Sequence, residues 1–145
     1  MRSGEGDDAT EQVKVQVRLT NAREAVLAQL GHLQAAQVHH VDTEALIDTG
    51  AVRSVLPPFM AEQLGLVRLD RTMVLYADGR GEEVDFTEPF IVDIGGRRMT
   101  TSAMVLGQQV LLGVTVLEEL DFLVDCQGQR LIPNPAHPQQ PAFRV

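Results

Sequence analysis

The chain has 145 residues, 12 Lys and Arg against 20 Asp and Glu, four His, one Cys, no Trp, a formal charge of −8 and 44% hydrophobic residues. That supplies one ordinary core in one domain, and its acidity argues against nucleic acid or a membrane surface as partner. A lone Cys126, a polar opening from Met1 to Asp8 and apolar runs far short of the roughly 20 residues that span a bilayer give the expectation of a soluble cytoplasmic protein.

Residues 1–12 are small, polar and acidic and are expected to form a flexible N-terminal tail. A single domain is expected over 13–132. Residues 133–145 hold four of the seven prolines, at positions 133, 135, 138 and 141, and read as a Pro-rich C-terminal tail, part of which could dock extended on a neighbour. Val13, Val15, Val17 and Leu19 alternate with Lys14, Gln16, Arg18 and Thr20, the period of a strand with one buried face. Asn21 suits the N-cap of a surface helix over 22–30, stopped by Gly31, within an insert that reaches Gln37. An apolar stretch over 38–47 predicts a second strand, ending in Asp48-Thr49-Gly50. Pro57 and Pro58 open a short helix over 59–64, closed by Gly65, with Phe59, Met60 and Leu64 as its packed face.

Strands over 72–76 and 83–87 flank Ala77-Asp78-Gly79-Arg80-Gly81, and strands over 90–94 and 99–106 flank Gly95-Gly96, two hairpin signatures. Leu111-Leu112-Gly113 precedes a helical pattern over 114–120, and 122–126 with 130–132 predicts a last hairpin. Short strands at regular spacing predict an all-β barrel or closed sandwich.

Asp48-Thr49-Gly50-Ala51 is the strongest chemical signal, a carboxylate on a strand end beside a turn that glycine permits. About one chain of this length in forty carries the triplet by chance, so its context has to decide. The order Ala45-Leu46-Ile47-Asp48-Thr49-Gly50-Ala51, then Tyr76-Ala77-Asp78-Gly79, then Leu112-Gly113 resembles the retropepsin-like aspartic peptidases, in particular their small single-domain bacterial members, over roughly residues 13–135.

The resemblance implies an all-β, retropepsin-like closed barrel (the acid protease fold) with one or two short helices, assembled as a symmetric homodimer. It implies an aspartic endopeptidase acting on extended peptides with apolar residues beside the scissile bond, with no metal and no cofactor. Asp48 would be the catalytic carboxylate. Thr49 would bond across the dimer, Gly50 would let substrate approach, and Ala51 would complete the loop. Tyr76, Ala77, Asp78, Gly79 and Arg80 would form the flap, and Leu112 and Gly113 would pack beneath the site. Viral members carry an acidic residue after the Asp-Thr/Ser-Gly-Ala motif and an Arg after the second apolar-Gly element. Here Val52 and Val114 stand there, so the dimer interface is expected to differ.

Only one Asp-Thr-Gly is present, whereas the chemistry needs two carboxylates; Val92-Asp93-Ile94-Gly95 lacks the hydroxyl residue, so a homodimer must complete the site. Two charges about 3 Å apart at an effective dielectric near 20 repel by roughly 5 kcal/mol, so the pair holds one proton. Aspartic proteases are the reference case for such sharing. A non-cleaving peptide-binding or dimerisation module is the alternative. A metal hydrolase using His39 or His40 is disfavoured, since neighbours on a strand face opposite ways. Asp78 also suits a plain turn residue. His32 and His137 read as isolated and solvent-facing, Cys126 as a buried thiol, and Arg97-Arg98 and Glu82-Glu83 as charges guarding hairpin edges.

Overall fold

The computed structural model describes residues 13–145; the expected N-terminal tail lies outside them. β1 (Val13–Asn21) realises the alternation, burying Val13, Val17, Leu19 and Asn21 and exposing Lys14 and Arg18. It pairs antiparallel with β2 (His40–Asp48) on one side and β6 (Phe90–Ile94) on the other. β2 pairs parallel with β9 (Val110–Gly113), so its end is flanked by strands on both sides. Ala45, Leu46 and Ile47 are accordingly buried in succession, the mark of a strand covered on both faces.

The remaining strands are β3 (Ser54–Leu56), β4 (Arg68–Leu75), β5 (Gly81–Thr87), β7 (Arg97–Thr101) and β8 (Ala103–Val105). They complete a nine-stranded sheet in the order β4-β5-β8-β3-β9-β2-β1-β6-β7, and β10 (Phe122–Asp125) with β11 (Arg130–Pro133) forms a separate hairpin. The fold is mostly β, as expected. Among the described residues no pairing joins β4 to β7, so closure into a barrel is not seen in the hydrogen bonding. Three α-helices are present where the sequence pattern puts them, one more than the one or two that the resemblance implied: α1 (Ala22–Gln29), α2 (Pro58–Gln63) and α3 (Val114–Leu120). Leu19, Leu56, Leu64, Phe90, Leu112 and Leu120 form the centre of the core.

The expected strand over 99–106 is two strands. β7 pairs with β6 at one end of the sheet, and after Ser102 the chain joins β3 and β5 as β8. Thr87 Oγ1 accepts from Ala103 N at 3.1 Å at the crossing, satisfying a buried donor that the ladder leaves open.

α1 buries no residue; its attachment is polar. Fully buried Asn21 caps it by accepting from Glu24 N at 2.9 Å and donates through Nδ2 to Leu64 O at 2.8 Å. Arg23 meets Glu88, whose carboxylate also accepts from Val67 N at 2.7 Å. Those bonds, the Arg23 one foremost, hold the Glu88 carboxyl below its ordinary range. The stabilisation is therefore complete above the unfolded-state value of about 4.3 and fades as pH falls through the lower folded value. Glu88→Gln should cost about 1–2 kcal/mol at neutral pH, trimmed because Arg23 is 45% exposed, and should flatten the acid limb of stability measured by urea unfolding against pH.

Arg97 is not an edge guard. It is 5% exposed and donates to Leu120 O at 2.9 Å, Asp121 O at 3.1 Å and His137 O at 2.6 Å, with its guanidinium over the Phe122 ring. His137 is not isolated either: its Nδ1 lies 2.6 Å from Asp121 Oδ2, and Asn134 Nδ2 donates to the other oxygen at 3.0 Å. The Asn134 bond, with those of His137 and Ala142 N, holds the Asp121 carboxyl below its usual range. This clasp fastens residues 134–142 to the end of α3. Arg97→Met keeps the volume and removes the donors, so about 2 kcal/mol of stability should be lost in denaturant unfolding, with faster amide exchange in 134–142. Cys126 is exposed, not buried, because the strand ends at Asp125 and leaves it in the β10–β11 turn.

Candidate active site

Asp48 is the last residue of β2 and pairs with Gly113, the last of β9. Its side chain is exposed, and Oδ1 accepts from Gly50 N at 3.1 Å while Asp48 O accepts from Ala51 N at 3.1 Å. The carboxylate thus tops a tight turn anchored on a buried strand. Nothing inside the chain compels glycine at 50: its φ is not left-handed, and a Cβ there would meet only Asp48 Oδ1, at 3.4 Å. Thr49 is exposed and, among the described residues, its hydroxyl has no hydrogen-bond partner.

The loop after Asp48 is gripped by the β9–α3 junction. Val114 N donates to Ala51 O at 2.8 Å, Thr115 Oγ1 to Val52 O at 3.0 Å, and Gly113 N to Ser54 Oγ at 3.2 Å. The approach is so close that a Cβ on Gly113 would lie 2.5 Å from Val52 O and 2.8 Å from Ala51 O. Leu112, fully buried, pairs with Ile47 directly before Asp48. The structure therefore brings Asp48, Ala51, Leu112 and Gly113 together. Ser54 and Thr115 belong to the same grip and escape sequence reasoning; a hydroxyl two residues after Gly113 was the available signal.

Residues 76–80 form the tip of the β4–β5 hairpin at one end of the sheet. Gly79 takes φ 89°, and Asp78 accepts from Arg80 N at 2.9 Å and Arg80 Nε at 2.8 Å. The Arg80 backbone bond is the main cause that lowers the Asp78 carboxyl, so Asp78 serves the turn itself. Arg80 also lies over the Tyr76 ring at 4.8 Å, and Tyr76 Oη donates to Glu82 at 2.5 Å, which pushes the phenol upward. Ala77 is exposed. Among the described residues the polar contacts of the tip stay within the hairpin, and none reaches Asp48. The hairpin and the loop after Asp48 meet at Arg53, whose Cζ lies 5.0 Å from the centroid of the Phe86 ring on β5. Val52, Met73 and Leu75, of the loop and hairpin, are 63%, 55% and 77% exposed.

Asp48 lines neither the cavity of about 540 Å³ beside α1 nor that of about 110 Å³ beside α2. His39 Nδ1 is 2.8 Å from Glu24 Oε1, and His40 lines the larger cavity. Among the described residues no three His, Cys, Asp or Glu side chains are grouped as metal ligands, and no helix is long and apolar enough to cross a membrane.

A family model described as gag-polyprotein putative aspartyl protease matches residues 34–119. No curated protein matches. Among solved structures the chain is similar to the retroviral protease-like domain of Ddi1 from Leishmania major, at 17% identity over 85% of this chain and 90% of that one, with a TM-score of 0.53. It is also similar to EIAV protease complexed with the inhibitor HBY-793, at 27% identity over 53% and 75% with a TM-score of 0.44. A third match is simian foamy virus (mac) protease, at 11% identity over 72% and 90% with a TM-score of 0.46. The matched family segment takes in the Asp48 turn, the 76–80 hairpin and the Gly113 junction, more than half of the chain, and the chain belongs to the gag-polyprotein putative aspartyl protease family of retropepsin-like aspartic proteases.

Proposed function

We propose that the protein is an aspartic endopeptidase whose active site forms when two copies associate about a two-fold axis, bringing their Asp48 side chains together. The observation that carries the reading is the half-site itself. One exposed carboxylate stands at a strand end buried on both faces, its loop pinned by three hydrogen bonds, beside a Thr49 hydroxyl that has no partner among the described residues. In a symmetric pair every contact occurs twice, so one Asp-Thr-Gly per chain supplies the two carboxylates and two hydroxyls of a complete site.

With one proton between the two carboxylates, the ionised Asp48 takes a proton from a water held between them. The protonated Asp48 donates a hydrogen bond to the carbonyl oxygen of the scissile amide. Water attacks the carbonyl carbon directly, and proton transfer to the amide nitrogen releases the amine. The β4–β5 hairpin acts as the flap, covering an extended peptide and adding backbone hydrogen bonds, while Val52, Met73 and Leu75 supply apolar contact.

The test is cleavage of a diverse peptide library by the purified chain, with and without chelator, across a dilution series that light scattering follows in parallel. Expected are chelator-insensitive cleavage and a specific activity that falls as dimer gives way to monomer. Undiminished activity in monomer would rule out the shared site. Peptide binding without cleavage would assign the chain to the non-cleaving module.

A further inference from the structure

Between β1 and β11 the arginines of this acidic chain are spoken for. Arg18, Arg23, Arg68, Arg71, Arg80, Arg98 and Arg130 each reach a carboxylate oxygen at 2.7–3.8 Å, and Arg97 is spent on three backbone carbonyls. Arg53 is the exception. Among the described residues it has neither a carboxylate nor a carbonyl partner, although acidic groups outnumber basic ones by 20 to 12. Asp70, opposite Phe86 in the β4–β5 register, makes no ion pair with it, and Asp85 is engaged by Arg68 and Arg71.

Arg53 is also held in place. Its backbone lies between Val52, whose carbonyl Thr115 binds, and Ser54, whose hydroxyl Gly113 N binds, in the loop that starts at Asp48. Its guanidinium rests on the Phe86 ring, and the residue is exposed. A guanidinium held over an aromatic ring by cation–π attraction, with no carboxylate or carbonyl partner among the described residues, has its N–H donors available as the fork that binds a carboxylate in two parallel bonds.

We propose that Arg53 is a specificity-determining residue that binds a carboxylate of the substrate, so that the enzyme selects extended peptides with an acidic side chain near the scissile bond. The inference rests on the dimeric peptidase reading. It carries a symmetry signature: two copies of Arg53 related by a two-fold axis favour Asp or Glu at two positions, disposed equivalently on the two sides of the cleaved bond.

The experiment uses the full chain with end-capped fluorogenic octapeptides carrying Glu or Gln at each position in turn, and reads the ratio of kcat/KM for the Glu and Gln members. A charge-assisted pair predicts a ratio of about ten or more at two positions in the wild type, near one in Arg53→Gln and below one in Arg53→Glu, which instead favours Lys. Neutral octapeptides with a free C-terminus form a second arm, and preference confined to that arm would assign the carboxylate to the chain end and overturn the side-chain proposal. A wild-type ratio near one, or the same ratio in Arg53→Glu, would overturn it as well. If the wild type cleaves nothing, the peptidase reading fails separately. Fluorescence anisotropy of the same peptides then gives the Glu-to-Gln ratio as binding, with the same outcomes deciding.

Discussion

Asp48→Asn should lower kcat/KM for peptide cleavage by about four orders of magnitude and leave the fold in place. In the proposed dimer the substitution enters both halves of the site, so the group that takes the proton from water and the group that donates to the carbonyl are lost together. Either role alone supplies about 10²–10⁴-fold. The structural cost is small for stated reasons. Asp48 is exposed, and its one internal side-chain bond, from Gly50 N, is one that the asparagine carbonyl oxygen accepts equally well. Stability should therefore stay within about 0.5 kcal/mol of the wild type in denaturant unfolding. A residue that merely shaped its own turn would tolerate the exchange with cleavage intact, and that outcome would remove Asp48 from the chemistry.

Arg53 makes a different demand on the same site, and the two assignments separate kinetically. In the proposed mechanism the Asp48 carboxylate acts on the amide common to all peptides, so its loss should lower cleavage of every peptide alike. Loss of Arg53 acts on the ratio between peptides. The loop that joins them is short and fixed at both ends by the β9–α3 junction, so one element carries both the proposed reacting group and the proposed selector.

Much of the fold was legible because its local signals agree. The alternation in β1, the Asn21 cap, the Pro-opened α2, the glycine-tipped hairpins and the helix over 114–120 all lie where periodicity and turn chemistry put them. Asp48 and Gly113 were each conspicuous as residues. Their meeting follows from a parallel pairing between strands distant in sequence, which no local pattern encodes. The misreadings share a cause. Arg97 and His137 were judged by composition and exposure, whereas their roles depend on carbonyls and carboxylates that come together only when α3 ends in the left-handed Asp121. The break at Ser102 is likewise a choice between sheet ends made by tertiary pairing, and Cys126 moved from strand to turn on a difference of one residue.

Gly113→Ala should damage stability and activity together. Its glycine owes nothing to a left-handed φ, since position 113 takes φ −79°, a conformation open to any residue. The constraint is space: the added methyl would sit 2.5 Å from Val52 O and 2.8 Å from Ala51 O, against backbone that cannot turn aside as a side chain can. Relief requires the loop to lift off β9, which stretches or breaks the bonds from Val114 N and Thr115 Oγ1 and costs about 3 kcal/mol in overpacking and lost hydrogen bonds. In the proposed dimer the same movement would carry Asp48 away from the position in which two copies share a proton, and a displacement near 1 Å is enough to lower the rate by about 10²-fold. Unfolding by urea and kcat/KM on one peptide, measured side by side, check both effects. Activity kept at the wild-type level in a destabilised variant would show that the Gly113 contact supports the fold without aiming the carboxylate.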